Sequence, residues 1–518
     1  MSRDIRVGID VGGTNTDVVV LDEATTVLAA HKSPTSPDVL TGIREALNHV
    51  LPEIDVSTIK QVMLGTTHPL NAVIRRQGLA RVGILRLGAP ATLAIPPMAD
   101  WPEDLIDAVR GPSEIVRGGH EFDGTEITAL DENAVRQFAL RCRGVVDIIA
   151  VTGVTSPANP SHEIRAAEVI AATLGPAFPV SLGHQVGGIG LLERENSAIL
   201  NAALAHVARD VVAGLTDALA THGISVSVYL TQNDGTLLTA EEARRRPILT
   251  VGSGPTNSMR GAAHLSGLTD AIVMDVGGTS TDVGLLVKGF PRESALAVDI
   301  AGVRTNYRMP DLISVGLGGG SLVHQDPDVR VGPDSVGYLL GSRALAFGGD
   351  SITLSDVSIR AGRARFGDSA LLSAMSADLV DQALAVVDGQ LQVLADRIKS
   401  TRKSLPLIAV GGGAHLIPSR LPGVSEIVRT EHADIANAIG AAIAEVSGTV
   451  DRNYRYSDSS REACLAEART VATQRAIRAG ADPGQVRIAS LTEIPMTYMP
   501  GDCARVQVKA VGPVRAAV

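Results

Sequence analysis

Two stretches of the chain share the same order of apolar and polar positions. From Val7 to Asp22 the sequence reads VGIDVGGTNTDVVVLD, and from Val273 to Val287 it reads VMDVGGTSTDVGLLV. In each stretch an apolar run ends in Asp, a Gly-Gly-Thr segment follows, and a second apolar run begins at Asp-Val. This pattern predicts a β-hairpin with a glycine turn. Residues 10–18 and 275–283 are identical at eight of nine positions, so the repeat predicts two similar domains that face each other.

Other periodic stretches outline the remaining elements. Residues 39–51 place their apolar side chains on one helical face, and Gln61–Thr67 (QVMLGTT) reads as a buried strand. The apolar positions from Leu191 to about Thr221 predict one long helix that leads into the second domain. A Ser-His-Glu triplet at residues 161–163 opens another predicted helix, and we interpret it as N-capping rather than as a catalytic triad.

The length of 518 residues is too great for one ordinary domain. We expect a first domain at residues 1–182, a second at 183–450 and a small C-terminal region at 451–518. The C-terminal region reads as one helix followed by strands.

The residues of the two predicted turns suit the binding of an anion. Adjacent glycines allow backbone N–H groups to approach a ligand closely, and the neighbouring hydroxyl and amide groups add donors. Asp10 and Asp275 would repel a phosphate, so their presence implies a cation between them, and Mg²⁺ prefers such a carboxylate and phosphate environment. Two turns of this kind could hold the phosphates of one nucleotide from both sides; the alternative is a pair of structural hairpins. The candidate ligand-binding residues are Gly12, Gly13, Thr14, Asn15 and Thr16, and Gly277, Gly278, Thr279, Ser280 and Thr281.

These motifs resemble the phosphate-binding hairpins of the actin/hexokinase/Hsp70 ATPase superfamily. The chain is more closely similar to the hydantoinase/oxoprolinase family, of the ATP-binding hydantoinase A type in a compact form. The resemblance covers about residues 5–445 and includes five further segments in the order of that family: LGTTHPLNAVIRRQG (64–78), GHQVGGIGLLERENSAILNAAL (183–204), VGSGPTNSMRGA (251–262), VGLGGGSLV (315–323) and VGGGAHLIP (410–418).

The resemblance implies an α/β fold. Two actin-like, ribonuclease H-like ATPase domains would face a nucleotide cleft, with a small α+β segment at the C-terminus. One departure is notable: the chain has Thr256, Asn257 and Ser258 where relatives carry small residues.

The same resemblance implies ATP and Mg²⁺ as cofactors and ATP-dependent ring opening of a cyclic amide such as a hydantoin, 5-oxoproline or a lactam. The first alternative is a regulatory ATP-binding subunit that needs a hydantoinase B-type partner. A carboxylase or a small-molecule kinase is the third option. A homo-oligomer in the cytoplasm is expected.

Site roles follow from the superfamily. Asp10 and Asp275 are assigned to Mg²⁺ and to catalysis, with Asp275 preferred for activating the nucleophile, while Asp17 and Asp282 are left between structural and functional roles. The glycine-rich segment Gly411, Gly412 and Gly413 is expected to hold the adenosine.

Further candidates for contact with the substrate come from turns, strand ends and helix starts. In the family the segment around residues 117–123 lies near substrate, which adds Arg117, His120, Glu121 and Asp123, although a solvated loop is at least as good an interpretation. The other candidates are Thr66, Thr67, Glu193, Asn196, Gly318, Gly319 and Gly320; for Glu193 and Asn196 the alternative is helix capping and pairing.

Composition narrows the choice of function. The net charge is −10 with no basic run, which argues against nucleic acid as a partner. Three widely spaced cysteines form neither a metal-binding pattern nor a disulfide framework and indicate a reducing compartment. The start of the chain is expected to lead directly into the first strand without a signal peptide. No apolar run of about 18 residues predicts a membrane span.

Overall fold

The computed structural model describes residues 4–13, 15–34, 39–52, 54–294, 297–325, 328–497 and 502–515. Thr14, one of the candidate ligand-binding residues, lies outside this set. The N-terminal elements are β1 (Ile5–Val11), β2 (Asn15–Leu21), β3 (Val27–Pro34), α1 (Val39–Val50), β4 (Ile59–Thr66) and α2 (His68–Arg75). They are followed by β5 (Val82–Ala89), α3 (Glu103–Val109), β6 (Arg110–Arg117), α4 (Glu132–Cys142), β7 (Ile148–Gly153), α5 (Ser161–Leu174) and β8 (Val180–Leu182).

The central part of the chain is mainly helical before a second series of strands. Its first elements are α6 (Gly183–Val186), α7 (Leu191–Ala203), α8 (Ala205–Thr221), β9 (Ser227–Thr231), β10 (Thr236–Thr239), α9 (Ala240–Arg245) and α10 (Ser253–Ser266). Next come β11 (Ala271–Val276), β12 (Thr281–Val287), β13 (Phe290–Pro291), β14 (Val298–Ile300), β15 (Val303–Thr305), β16 (Leu312–Val315), β17 (Ser321–His324) and β18 (Arg330–Ser335).

The last third of the chain adds strands to the sheets of both hairpins. It contains α11 (Leu340–Arg343), α12 (Leu354–Arg360), α13 (Ala377–Ile398), β19 (Leu405–Val410), β20 (Val424–Arg429) and α14 (Ala436–Ala442). The C-terminal elements are β21 (Glu445–Arg455), α15 (Arg461–Arg478), β22 (Arg487–Pro495) and β23 (Cys503–Gly512).

Both glycine motifs form the hairpins that the repeated pattern predicts. β1 pairs with β2 and β11 with β12, both antiparallel, and the register places Asp10 opposite Asp17 and Asp275 opposite Asp282. Each hairpin continues into a parallel neighbour, β4 beside β1 and β19 beside β11. The two hairpins therefore occupy equivalent places in two different sheets.

The larger sheet draws strands from distant parts of the chain. Its nine strands run in the order β22-β23-β21-β10-β9-β4-β1-β2-β3, whereas the sheet of the second hairpin has the order β13-β12-β11-β19-β20, with β16 also paired to β12. The C-terminal strands thus extend the sheet of the first hairpin and do not form a separate sheet. β4 and β9, which lie on opposite sides of residue 182 in the sequence, pair with each other, and β21 includes residue 450. The division of the chain into three units stays a prediction.

A third sheet stands between β4 and β9 in the sequence. Its four strands are all parallel, in the order β6-β5-β7-β8. β6, the next strand in sequence after β5, lies on one side of β5, and β7 lies on the other side. The winding direction therefore reverses between β5 and β7.

The prediction of one helix from Leu191 to Thr221 is wrong, because the chain bends by 46° between α7 and α8. Leu204 forms the junction and serves as the C-cap of α7, and its N–H group bonds to carbonyls inside that helix. Across the described ranges, no single helix is long and apolar enough to span a membrane, and only the bent α7–α8 pair meets those criteria when both helices are taken together.

Helices α10 and α14 pack in backbone contact between the two hairpin sheets. A Cβ atom on Gly261 would lie 1.9 Å from the carbonyl oxygen of Ala436, and one on Gly440 would lie 1.9 Å from that of Asn257. Glycine is required at both positions because any side chain would push the helices apart. α14 also touches β1, where a Cβ on Gly8 would lie 2.2 Å from the carbonyl oxygen of Ala438.

The Gly440→Ala variant is expected to lower the melting temperature by several degrees, since overpacking a tight contact costs about 1–3 kcal/mol. Gly389→Ala on α13 is the matched control, because a Cβ there meets nothing within 4 Å and alanine favours a helix over glycine by roughly 0.5–1 kcal/mol. Differential scanning calorimetry of both variants measures the difference. Equal melting temperatures for Gly440→Ala and the wild type would show that the α10–α14 contact is not tight.

Candidate functional site at the two hairpins

The two turns close in the same way. The N–H group of Gly12 donates to the carbonyl oxygen of Asn15 at 2.9 Å, and that of Gly277 donates to Ser280 at 2.9 Å. A Cβ on Gly13 would meet nothing within 4 Å, so the first turn has open space beside it. Both turns can therefore present backbone N–H groups to an anion.

Asp10 is buried at the end of β1 and holds two amide hydrogen bonds. The Nδ2 atom of Asn257 donates to its Oδ1 at 3.0 Å, and that of Asn437 donates to its Oδ2 at 3.0 Å. Burial raises the pKa of Asp10 to about 7; the amide of Asn257 opposes the shift, and the charge of Asp17 adds to it. Gly65 makes the contact possible, because a Cβ there would lie 2.1 Å from Nδ2 of Asn257.

Asp17, opposite Asp10, carries the only ion pair that the described residues provide to the hairpin aspartates. Lys32 on β3 lies 2.6 Å from its Oδ1 atom, and Asn437 donates to its Oδ2 at 2.9 Å. Burial raises the pKa of Asp17, and Lys32 counteracts part of that shift. A single amide of Asn437 thus bridges the two carboxylates of the first hairpin.

The second hairpin repeats this arrangement with hydroxyl donors. Burial raises the pKa of Asp275, and the side chain of Ser258 opposes part of that shift. Ser314 hydrogen-bonds Asp282, and burial raises the pKa of that carboxyl to about 6. Adjacent residues of α10, Asn257 and Ser258, therefore hold the leading aspartates of the two hairpins.

The carboxylates are close enough to influence one another. The negative charge of Asp275 raises the pKa of Asp10, and that of Asp17 raises the pKa of Asp275. A cation placed between the hairpins would relieve this repulsion, and Asp10 and Asp275 could hold it. Within the described part of the chain, no cluster of three or more His, Cys, Asp or Glu side chains is arranged as a metal site. A cation would then take its remaining ligands from water or phosphate, as Mg²⁺ commonly does.

Two glycine-rich loops lie directly on the second hairpin. Gly319 donates to the carbonyl oxygen of Gly277 at 3.0 Å, and Gly320 donates to that of Gly278 at 2.7 Å. A Cβ on Gly318 would lie 2.6 Å from the backbone of Thr279. The segment predicted as a ligand loop, Gly318–Gly320, is thus part of the wall around the second turn.

The other loop contacts the end of β11. Gly413 donates to the carbonyl oxygen of Val276 at 2.7 Å. Gly411 has φ +87°, and a Cβ there would lie 2.3 Å from Oδ1 of Asp275. A Cβ on Gly412 would meet nothing within 4 Å. Glycine at 411 brings the backbone against Asp275, glycine at 413 brings it against Val276 and Gly277, and the residue between them faces open space.

Several residues beside these loops were not among the candidates from the sequence. A Cβ on Gly319 would lie 2.9 Å from the hydroxyl of Ser355 and 4.0 Å from Nε2 of His415. Burial lowers the pKa of His415 to about 4, so its imidazole is neutral at pH 7. The ring of Phe366 meets His415 edge-on at 5.2 Å, and Phe347 stacks on Phe366 at 6.3 Å. The sequence carries no local signal for this group, because its members come from separate loops.

Thr66 and Thr67 lie beside the first hairpin. Thr66 is paired with Val11 in the sheet, and the N–H group of Thr67 donates to the carbonyl oxygen of Val11 at 3.1 Å. Ser253, at the start of α10, donates to the carbonyl oxygen of Thr66 at 3.4 Å. The strand end predicted to approach ligand therefore adjoins the turn and α10.

Glu193 and Asn196 are engaged elsewhere. Asn196 accepts from the indole N–H of Trp101 at 2.8 Å and donates to the carbonyl oxygen of Arg304 at 2.8 Å. Glu193 lies 3.3 Å from the Arg304 guanidinium. These contacts join α7 to β15, which lies 108 residues away in sequence for the bond from Asn196, so they are not the pairing within one helix that was the alternative interpretation. Contact of Glu193 and Asn196 with substrate stays a prediction.

In the segment around residues 117–123, some side chains lie at the surface and others are buried. Arg117 pairs with Asp131 at 3.2 Å, and Asp123 accepts from Thr125. His120 is buried and contacts the hydroxyl of Ser161 at 3.2 Å. These contacts are internal to the region of the four-stranded sheet.

Comparison with known proteins agrees with the geometry of the hairpins. The sequence model of the hydantoinase/oxoprolinase N-terminal region matches residues 6–174, and the hydantoinase/oxoprolinase model matches residues 194–399. The alpha subunit of caprolactamase from Pseudomonas jessenii is 30% identical over 71% of this chain and 55% of its own length. The gamma subunit of acetophenone carboxylase from Aromatoleum aromaticum is 29% identical over 69% of this chain and 53% of its own length. The chain spans about half the length of these curated relatives.

Solved structures share the fold. The ATP-dependent caprolactamase from Pseudomonas jessenii superposes with a TM-score of 0.77 at 22% identity, covering 98% of this chain and 88% of the other. Nucleotide-free acetone carboxylase gives a TM-score of 0.68 at 19% identity, covering 99% and 88%. The actin-like α/β architecture expected from the sequence is therefore confirmed. Taken with the paired hairpins and the matched segments, this shows that the chain belongs to the hydantoinase/oxoprolinase family.

Proposed function

We propose that this chain binds Mg²⁺ and ATP between its two glycine turns and uses ATP to open the ring of a cyclic amide by hydrolysis. The observation that carries the proposal is the convergence of two Asp-Val-Gly-Gly turns, whose leading aspartates lie against adjacent residues of α10. The turns would bind phosphates through backbone N–H groups, and the loops at Gly318–Gly320 and Gly411–Gly413 would complete the nucleotide site.

Three of the four hairpin aspartates have a role in this proposal. Asp10 and Asp275 would hold the hydrated Mg²⁺, which supplies positive charge to the phosphates. Asp275 would also orient the attacking group, because it adjoins Gly411 and the second turn. Asp17, already paired with Lys32, would keep the first hairpin in place. His415 is neutral at pH 7 and would offer a hydrogen bond without adding charge.

The chemical reason for ATP is the poor electrophilicity of an amide. A lactam carbonyl resists attack by water, and phosphorylation of its oxygen creates a good leaving group. In such a reaction the protein acts mainly by positioning and by neutralising charge. The similarity to a caprolactamase subunit supports a lactam as the substrate.

A carboxylase is the second candidate, since relatives include subunits of acetophenone and acetone carboxylases. Three relatives carry the word subunit in their names, and this chain spans about half of their length. An ATP-binding subunit that needs a partner of the hydantoinase B type is therefore the alternative, and in that case the chain alone would bind ATP without turnover.

Release of ADP from Mg²⁺-ATP in the presence of caprolactam, 5-oxoproline, hydantoin, acetone or acetophenone, each with and without bicarbonate, tests the proposal. A cyclic amide is expected to stimulate release independently of bicarbonate. Stimulation by a ketone only with bicarbonate would overturn ring opening in favour of carboxylation. ATP binding without stimulation by any compound would contradict turnover by the chain alone.

The Asp275→Asn variant is expected to lose ATP turnover by about 10²–10³-fold while keeping its fold, since one preorganised electrostatic group typically contributes that much. Asp217→Asn, at an exposed position of α8, is the control and should keep full turnover. Steady-state ADP release and far-UV circular dichroism measure the two properties. Full turnover by Asp275→Asn with an unchanged melting curve would reject its assigned role.

Asp10 makes the stability of the free protein depend on pH. Its pKa is about 7 in the fold against 3.8 for an ordinary Asp, so the folded state binds more protons between these values, and stability falls as pH rises from about 4 to 7. Asp10→Asn removes this contribution. The melting temperature of the variant relative to the wild type should therefore rise by a few degrees from pH 5 to pH 8. A difference that stays constant with pH would contradict the raised pKa.

A further inference from the structure

A second group of buried polar side chains lies at the carboxyl ends of β7 and β8, away from the hairpins in sequence. Glu163 on α5 is fully buried and accepts three hydrogen bonds. The donors are the N–H group of Gly153 at 2.8 Å, the N–H group of His184 at 3.0 Å and the Nδ1 atom of His184 at 2.6 Å. The capping interpretation of residues 161–163 is wrong, since Pro160 is the N-cap and Glu163 points inward.

The carboxylate fixes the orientation of the imidazole. Because Nδ1 of His184 donates a hydrogen bond to Glu163, the other nitrogen of a neutral ring, Nε2, is the one that can accept a hydrogen bond or a proton. In the described part of the chain nothing hydrogen-bonds Nε2, and 17% of the side chain is exposed. A buried acid that orients a partly exposed histidine is the arrangement of a general base.

Two buried hydroxyls next to this pair also lack partners among the described residues. Thr152 is 1% exposed and Ser156 is 2% exposed, and neither side-chain oxygen forms a hydrogen bond. The Thr152 oxygen lies 3.1 Å from the position of a Cβ on Gly183, immediately before His184. Buried polar atoms normally find a partner, so these two hydroxyls indicate a ligand.

The backbone around the pair is strained and fixed. Thr155, directly before Ser156, has φ +50°, which a β-branched residue rarely adopts outside functional sites. The guanidinium of Arg194 donates to the carbonyl oxygens of Gly153 and Gly188. It therefore ties the segment after β7 to the segment after β8.

The position in the fold agrees with a ligand site. All four strands of this sheet are parallel, and the winding direction reverses between β5 and β7. In open parallel sheets, ligands bind outside the carboxyl ends of the strands at such a reversal. Gly153 ends β7, which borders the reversal, and Gly183 directly follows β8 on the far side of β7. The Glu163–His184 pair therefore stands at the carboxyl edge of the sheet, one strand from the reversal.

Buried hydrogen bonds connect this edge to the helix that holds the hairpin aspartates. Asn201 donates to the hydroxyl of Ser181 on β8 at 3.0 Å and accepts from the N–H group of Ile248 at 3.3 Å. Asn233 donates to the carbonyl oxygen of Ile248 at 3.1 Å and accepts from the N–H group of Gly252 at 2.7 Å. Gly252 is the N-cap of α10.

We propose that the carboxyl edge of β7 and β8 binds the cyclic amide, with Nε2 of His184 as the base that removes the amide proton and Glu163 as its positioning residue. The inference rests on the proposed function. With ATP bound at the hairpins, the N–H proton would pass to Nε2, the carbonyl oxygen would bond to the γ-phosphorus, and the bond from that phosphorus to the bridging oxygen would break. ADP leaves with the electron pair, and His184 releases the proton to water. The hydroxyls of Thr152 and Ser156 bind the ring amide.

The His184→Asn variant keeps a donor toward Glu163 and lacks Nε2. Caprolactam-stimulated ADP release should fall by about 10²–10⁴-fold, the usual contribution of a general base, while the affinity for Mg²⁺-ATP measured by calorimetry stays that of the wild type. His206→Asn is the control, because His206 also lies near a carboxylate, 3.8 Å from Asp147, on α8. Stimulated release by His184→Asn at the wild-type rate would overturn the proposal.

The Glu163→Gln variant tests positioning. If Glu163 positions His184, the variant should have a kcat at least about tenfold lower and an unchanged KM for caprolactam. If Glu163 only stabilises the fold, the variant should have a lower melting temperature, and kcat and KM should not change independently of each other. An unchanged kcat in a folded Glu163→Gln variant would contradict the role assigned to Glu163.

A readout without turnover separates this inference from the proposed function. Diethyl pyrocarbonate modifies accessible imidazoles, and peptide mass spectrometry gives the rate at each histidine. Caprolactam should slow modification of His184 and leave His206 unaffected. If no compound stimulates ADP release but caprolactam still protects His184, the site stands and the proposed reaction fails. If caprolactam does not protect His184, the site is overturned.

Discussion

The geometry of the site depends on two adjacent residues of a single helix. Asn257 and Ser258 are neighbours on α10, and they bind Asp10 on one sheet and Asp275 on the other. The helix can lie between the sheets because glycines at its crossing with α14 admit backbone contact. A change in the separation of the two sheets would break one of these bonds, so the geometry of the site and the packing of the helices are coupled.

This coupling explains the electrostatics of the site. Asp10 and Asp17 are buried, whereas Asp275 and Asp282 are partly exposed. Desolvation raises the pKa of all four carboxyls. Amide and hydroxyl donors stabilise these carboxylates without neutralising them, and among the described residues only Lys32 brings a positive charge, to Asp17. The hairpins are therefore suited to a cation that arrives with its ligand, which is the property that an ATP site requires.

Much of the site could be predicted from the sequence because its signals are local. The repeated nine-residue pattern predicted both hairpins, and the triple glycines marked two loops that the structure places on the second turn. The donors to Asp10 could not be found in this way, since Asn257 and Asn437 lie 247 and 427 residues from it. Pairing of β21 and β23 with the first sheet is likewise non-local, and the bend between α7 and α8 interrupts an apolar pattern that continues through it. Glu163 was missed because its position at a helix start suggested a cap, whereas its partners come from two other segments.

The most direct test of the central claim is a crystal structure of this chain with Mg²⁺ and a non-hydrolysable ATP analogue. The account predicts that the phosphates lie between the two turns, within hydrogen-bond distance of N–H groups at Gly12–Gly13 and at Gly277–Gly278. It also predicts that Mg²⁺ lies between Asp10 and Asp275. Phosphates that contact one turn alone, or a nucleotide bound elsewhere in the fold, would contradict it.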